Sequence, residues 1–141
     1  LIYAIMIGFI LFLIVSSFHY IALTQLHRRL TGAALPGYFH VVGGITGAGF
    51  AHIFEALIYS FGFRVAAVLN LGGFQGQTRP FDFMDIFYFS LVNFTSLGLG
   101  DIYPTGHLRF LAGLESLNGF LLISCSASLI FLLMRDAVQS P

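Results

Sequence analysis

The chain has 141 residues, enough for one modest domain. Hydrophobic residues make up 57% of it and charged residues only 9%, against about 25% in an ordinary soluble domain. At a mean hydropathy of +0.90 it has too few charges to cover a water-facing surface, which excludes a soluble globular enzyme and a disordered chain. Six Lys+Arg balance six Asp+Glu with no basic block, so nucleic-acid binding has no electrostatic footprint. The single Cys125 can form no intrachain disulfide and has no metal-ligand spacing around it. No hydrolytic or redox constellation is present, so no enzyme is expected.

A membrane helix needs about 20 mostly apolar residues. Leu1 to His27 carries no Asp, Glu, Lys or Arg, and no basic residue precedes this apolar run, so it reads as a span rather than a cleavable signal. The first span covers roughly Leu1 to Leu26, with its helix reaching residue 30 after Arg28 and Arg29. Gly32, Pro36 and Gly37 then read as a turn. A second span follows over residues 42–64, with Glu55 as its one formal charge before Arg64. Asn70 to Pro80, with Gly72, Gly73 and Gly76, reads as an outer loop. The third span covers residues 108–134 and holds only Glu115 between Arg109 and Arg135.

One apolar stretch remains, residues 83–94. Twelve residues are too short to cross and suit a re-entrant segment. Gly98 and Gly100 follow at alternate positions and permit backbone angles that other residues resist. The stretch therefore predicts a short helix that dips in and an irregular strand of chain that climbs back out. Irregular backbone at membrane depth must be buried in protein or line a watery path. One chain with three spans is too small to wrap it, whereas several copies around an axis are not. The expected fold is thus an all-α membrane protein with three transmembrane helices and one re-entrant helix and loop. Arg28, Arg29 and Arg135 orient the N-terminus outside and the C-terminus in the cytoplasm, although Arg64, Arg79 and Arg109 then fall on the outer side.

The stretch Asn93-Phe94-Thr95-Ser96-Leu97-Gly98-Leu99-Gly100-Asp101-Ile102-Tyr103-Pro104 resembles the T-T-V-G-Y-G-D filter of potassium channels. Phe83 to Ser90 is similar to the family's aromatic-rich pore helix, and Leu111 to Gly119 to the start of its inner helix. With one more helix in front, the chain resembles small prokaryotic ion-channel proteins, and His52-x-x-Glu55 in span two also resembles that group. The resemblance divides residues 42–134 into outer helix 42–64, pore helix 83–94, filter 95–101 and inner helix 108–134.

The resemblance implies a homotetrameric cation channel, K+-selective, in a bacterial inner membrane and surrounded by lipid. Thr95, Ser96, Leu97, Gly98, Leu99, Gly100 and Asp101 would form the filter. K+ would bind the carbonyls of Ser96, Leu97, Gly98 and Leu99, because peptide oxygens replace an ion's water without fixed charge. No other cofactor is implied. Asp101 would hold the filter from outside through side-chain hydrogen bonds, and Gly119 stands where a hinge is placed. Leu99 replaces the usual tyrosine and Ser96 the usual threonine, which leaves a weakly selective cation channel as the alternative; a non-conducting accessory subunit is a second. No arginine-rich helix marks a voltage sensor, and no cytoplasmic ligand domain is expected after Met134.

Charges inside membrane windows face protein or water. His52 and Glu55 share a helix face and read as a proton-sensitive gate, a bracket joining span two to the pore unit, or an internal hydrogen-bond pair. Glu115 is expected to brace the pore helix from behind. Ser124, Ser126 and Ser128 are candidates to wet a lower pore or to pack helices, and Phe120, Leu121, Phe131 and Leu132 include candidates for a constriction. Haem is not expected: no C-x-x-C-H exists, and only His19 and His52 offer a pair across two spans.

Overall fold

The computed structural model describes residues 1–33, 36–76 and 80–139. Arg79, which enters the charge-based orientation, lies outside the described residues, as does the end of the outer loop up to it. Four helices run in order: α1 (Ile2–Thr31), α2 (Gly37–Val68), α3 (Phe83–Phe94) and α4 (Leu108–Gln139). Of these, α1, α2 and α4 are long and apolar enough to cross a membrane. Among the described residues the fold is all-α apart from two short strands, β1 (Phe74–Gln75) and β2 (Tyr103–Pro104).

Each long helix outruns the span read from the sequence. The apolar pattern reports the stretch a bilayer must cover, while the helix continues beyond it at one or both ends. In α2 the helix starts at Gly37, directly after Pro36 at the N-cap, and runs past Arg64 to Val68. Proline suits that boundary because its fixed φ leads into a helix. The third long helix, α4, runs unbroken to Gln139, five residues beyond Met134.

The long helices pack on one another through small residues. The buried side of α2 includes Gly44, Ala48, Ala51, Ala56, Ser60, Gly62 and Ala66. In lipid there is little hydrophobic gain from helix association, so close backbone approach supplies the contact. Both α1 and α3 lie against α2 and α4. Around α3 the core turns aromatic. Phe63 meets Phe89 edge-on at 5.4 Å between ring centroids, and Phe74 meets Phe89 at 5.1 Å. Phe94, Leu108 and Leu111 are fully buried beside them.

The start of α3 is set locally. Asp82 Oδ1 accepts the Asp85 backbone N–H at 2.9 Å, and Asp85 Oδ2 accepts the Asp82 N–H at 3.0 Å. This reciprocal capping box satisfies donors that a helix start leaves free. Twelve residues give a rise of about 18 Å, short of a bilayer's hydrocarbon thickness. Beyond α3 the chain returns to pair with the loop that preceded it. Gln75 lies opposite Tyr103 and Phe74 opposite Pro104 in an antiparallel ribbon. The backbone N–H of Thr105 donates to Gly73 O at 2.8 Å and that of His107 to Leu71 O at 2.7 Å. The outer loop is therefore stapled to the segment following residues 95–101.

Candidate functional site

The site begins where α3 stops. Thr95 caps the helix with its Oγ1 donating to Val92 O at 2.9 Å. From there the chain alternates in handedness: Ser96 has φ of 60°, Gly98 58° and Gly100 79°, while Leu97 and Leu99 keep negative φ. Glycine takes positive φ freely, but for serine it costs about 1–2 kcal/mol. Such strain persists only where surrounding contacts hold it. Here Ser96 Oγ is hydrogen-bonded to Ser116 Oγ of α4 at 2.9 Å. Reversing the hand at every second residue turns successive peptide groups to one side of the strand.

No donor among the described residues reaches the carbonyls of Ser96, Leu97, Gly98 or Leu99. Leu97 and Leu99 are 65% and 58% exposed. A row of peptide oxygens without protein partners, at the C-terminal end of a helix, is a concentration of partial negative charge. In an apolar setting that row needs cationic or aqueous partners.

Two ties hold the row from behind and from outside. Behind it, fully buried Glu115 of α4 accepts from Asn93 Nδ2 at 2.7 Å through Oε2, and its Oε1 is hydrogen-bonded to Ser90 Oγ. Asn93 Nδ2 also donates to Ala112 O at 2.9 Å. Ser90 has one hydroxyl hydrogen, which reaches Ala56 O at 2.6 Å. Both of its contacts are hydrogen bonds when Glu115 carries a proton and donates it to Ser90 Oγ. A chain Glu115 to Ser90 to Ala56 then locks α4, α3 and α2 together. Glu115→Gln keeps a donor for Ser90 and an acceptor for Asn93, so we expect a near-unchanged thermal midpoint of the purified protein. Glu115→Ala takes one hydrogen bond from each of Ser90 and Asn93 and leaves a cavity, at a cost of roughly 3 kcal/mol. A Gln variant as unstable as Ala would contradict this hydrogen count.

On the outside, Tyr88 Oη donates to Asp101 Oδ2 at 2.8 Å. Accepting this bond, the carboxylate holds the Tyr88 phenol above its ordinary range, so it stays a donor at neutral pH. This bond ties the residue that follows Gly100 to α3, well before the helix ends.

Gly119 is buried where α4 crosses the end of α3. A Cβ there would collide with the Phe94 carbonyl oxygen and lie 2.8 Å from its carbon. Close approach of two backbones therefore requires this glycine, and the helix is continuous through it.

His52 and Glu55 do not join Glu115 in one bracket. Glu55 turns toward α1: His19 Nδ1 lies 2.7 Å from its Oε1 and His52 Nδ1 2.8 Å from its Oε2. The network ties α1 to α2 and, among the described residues, touches the end of α3 through a ring contact of His52 with Phe94 at 5.7 Å. Of the lower serines, Ser124 and Ser128 donate to their own helix at Phe120 O and Ser124 O. Ser126 is buried.

Three polar residues of the site, Ser90, Asn93 and Asn118, have no role of their own in the sequence reading. Ser90 and Asn93 stand three apart on α3, a spacing that puts both on one helix face. Asn118 links three helices, with its Nδ2 3.0 Å from Tyr59 Oη, its Oδ1 3.1 Å from Ser16 Oγ and its Nδ2 also near Phe12 O. A polar residue in an apolar span was the available signal in each case.

A sequence profile of the family described as "Ion channel" matches residues 47–136, which take in most of α2, all of α3, the loop with alternating handedness and nearly all of α4. Searches of the curated proteins and of the solved structures gave no match. α1 precedes the matched region and packs against both of its long helices. The chain belongs to the ion channel family and is an integral membrane protein.

Proposed function

We propose that four copies of this chain surround one axis and conduct K+ through the carbonyls of Ser96, Leu97, Gly98 and Leu99. The observation that carries this reading is the alternation of φ sign along residues 96–100 together with carbonyls that have no donor among the described residues. An entering cation exchanges its water for these oxygens and leaves again because none carries a full charge. The C-terminal end of α3 points partial negative charge toward the same place. Exposed Leu97, Leu117, Leu99 and Phe120 support several copies, since neighbouring subunits cover such apolar surface around the loop. The N-terminus lies outside and the C-terminus in the cytoplasm of a bacterial inner membrane, with lipid against α1.

Leu99 favours a second reading, a cation channel of the same build with weak selectivity. The Tyr88–Asp101 bond favours K+, because it restrains the loop without the tyrosine that Leu99 replaces. Purified protein in liposomes under a K+ gradient should carry a flux that Ba2+ blocks. Reversal potentials in mixed K+ and Na+ separate the two readings: a potential that follows the K+ gradient supports the first, and one near zero the second. No flux, with a single copy in the purified particle, would sink both and favour an accessory subunit.

A further inference from the structure

Midway along α1 and α2, outside the conduction path, three ligand-bearing side chains converge. One ligand atom from each of His19, His52 and Glu55 lies within 4.8 Å of the other two, and His19 Nδ1 and His52 Nδ1 approach the two Glu55 oxygens at 2.7 and 2.8 Å. The two imidazoles are stacked, with ring centroids 5.5 Å apart and planes 23° from parallel. His19 and Glu55 are buried, and the His52 side chain is 17% exposed.

We propose that His19, His52 and Glu55 form a binding site for a divalent transition-metal ion of the Zn2+ class, bridging α1 to the channel unit. The donor set is two imidazole nitrogens and one carboxylate oxygen, a combination suited to Zn2+ and its neighbours rather than to Mg2+ or Ca2+. Around a tetrahedral Zn2+ the ligand atoms stand about 3.3 Å apart. The two imidazole–carboxylate distances, 2.7 and 2.8 Å, are within about 0.6 Å of that spacing. The carboxylate offsets part of the ion's charge in a low-dielectric span. Each neutral imidazole then binds through its Nδ1 lone pair and carries its one proton at Nε2.

The position says what the ion would do. In its absence Glu55 holds both rings by hydrogen bonds. With the ion, one centre fixes α1 to α2 beside Phe94, at the end of the pore helix. The affinity also follows from the surroundings. Metal-bound histidines are normally supported by an acceptor on the second ring nitrogen, and losing it lowers affinity about 10–100-fold. His19 Nε2 is buried with no partner among the described residues. The site is therefore an exchangeable one, weaker than a fully supported centre of two histidines and one glutamate.

The test is Co2+ titration of the full chain, purified in detergent and stripped with EDTA. We expect a visible absorption band typical of four-coordinate Co2+, saturating at one ion per chain and displaced by Zn2+. His19→Asn and His52→Asn each keep an N–H donor for Glu55 close to the Nδ1 position but lose the ligand, so the protein stays folded and the band disappears. A triple variant replacing His27, His40 and His107 by Asn should keep it. The inference is overturned if wild type gives no band at millimolar Co2+, if the band survives both single variants, or if the triple variant removes it. None of these readouts depends on conduction, so failure here leaves the channel reading standing, and failure of that reading leaves this one.

Discussion

Gly100→Ala should abolish K+ flux while the purified assembly keeps its size and thermal midpoint. A methyl group at this position meets nothing within 4 Å in the subunit, so crowding there is not the cause. The cause is φ of 79°, which glycine adopts freely and alanine resists by about 1–2 kcal/mol. In the proposed tetramer the penalty reaches roughly 4–8 kcal/mol by the same measure. The loop relieves it by returning residue 100 to negative φ, which breaks the alternation and swings the Leu99–Gly100 peptide away from its neighbours. The subunit fold is spared because the helices that pack it do not include this residue. Flux in liposomes, beside size-exclusion and thermal melts, checks both halves. Unchanged flux would remove residues 96–100 from the conduction path.

Gly119→Ala should act in the opposite way, by damaging the packing. Two effects compete. Alanine in a helix is favoured over glycine by about 1 kcal/mol. Against this, the new methyl group would have to occupy the space of the Phe94 carbonyl oxygen. Backbone at the end of α3 cannot rotate aside as a side chain can, and overpacking of this kind costs about 1–3 kcal/mol or more. The collision wins. We expect a lower thermal midpoint and a reduced flux, because moving Phe94 moves Thr95 and Ser96 with it. A hinge role alone predicts the reverse for stability: a slightly raised midpoint with altered gating. Thermal melts of the variant separate the two.

The sequence by itself determined the class of this protein. Too few charges for a water-facing surface, three apolar windows and one window too short to cross dictate a membrane fold with one short apolar helix between long ones. The reason is local: bilayer thickness sets helix length, and glycine at alternate positions permits an irregular strand. The positive φ of Ser96 was not legible, because its support comes from Ser116, far along the chain on α4.

Only the tertiary structure decided which polar residues meet. Glu55 and His52 share a helix face whatever the fold, but His19 joins them only because α1 packs on α2 at that height. Glu115 finds Ser90 and Asn93 because α4 crosses behind α3, and Gly119 owes its place to the same crossing. β1 and β2 are two residues each and carry no periodic signal; their pairing exists only once the chain leaving residues 95–101 returns to the outer loop. Such contacts are set by which helix faces are brought together, and side-chain pattern along one helix does not specify its neighbour.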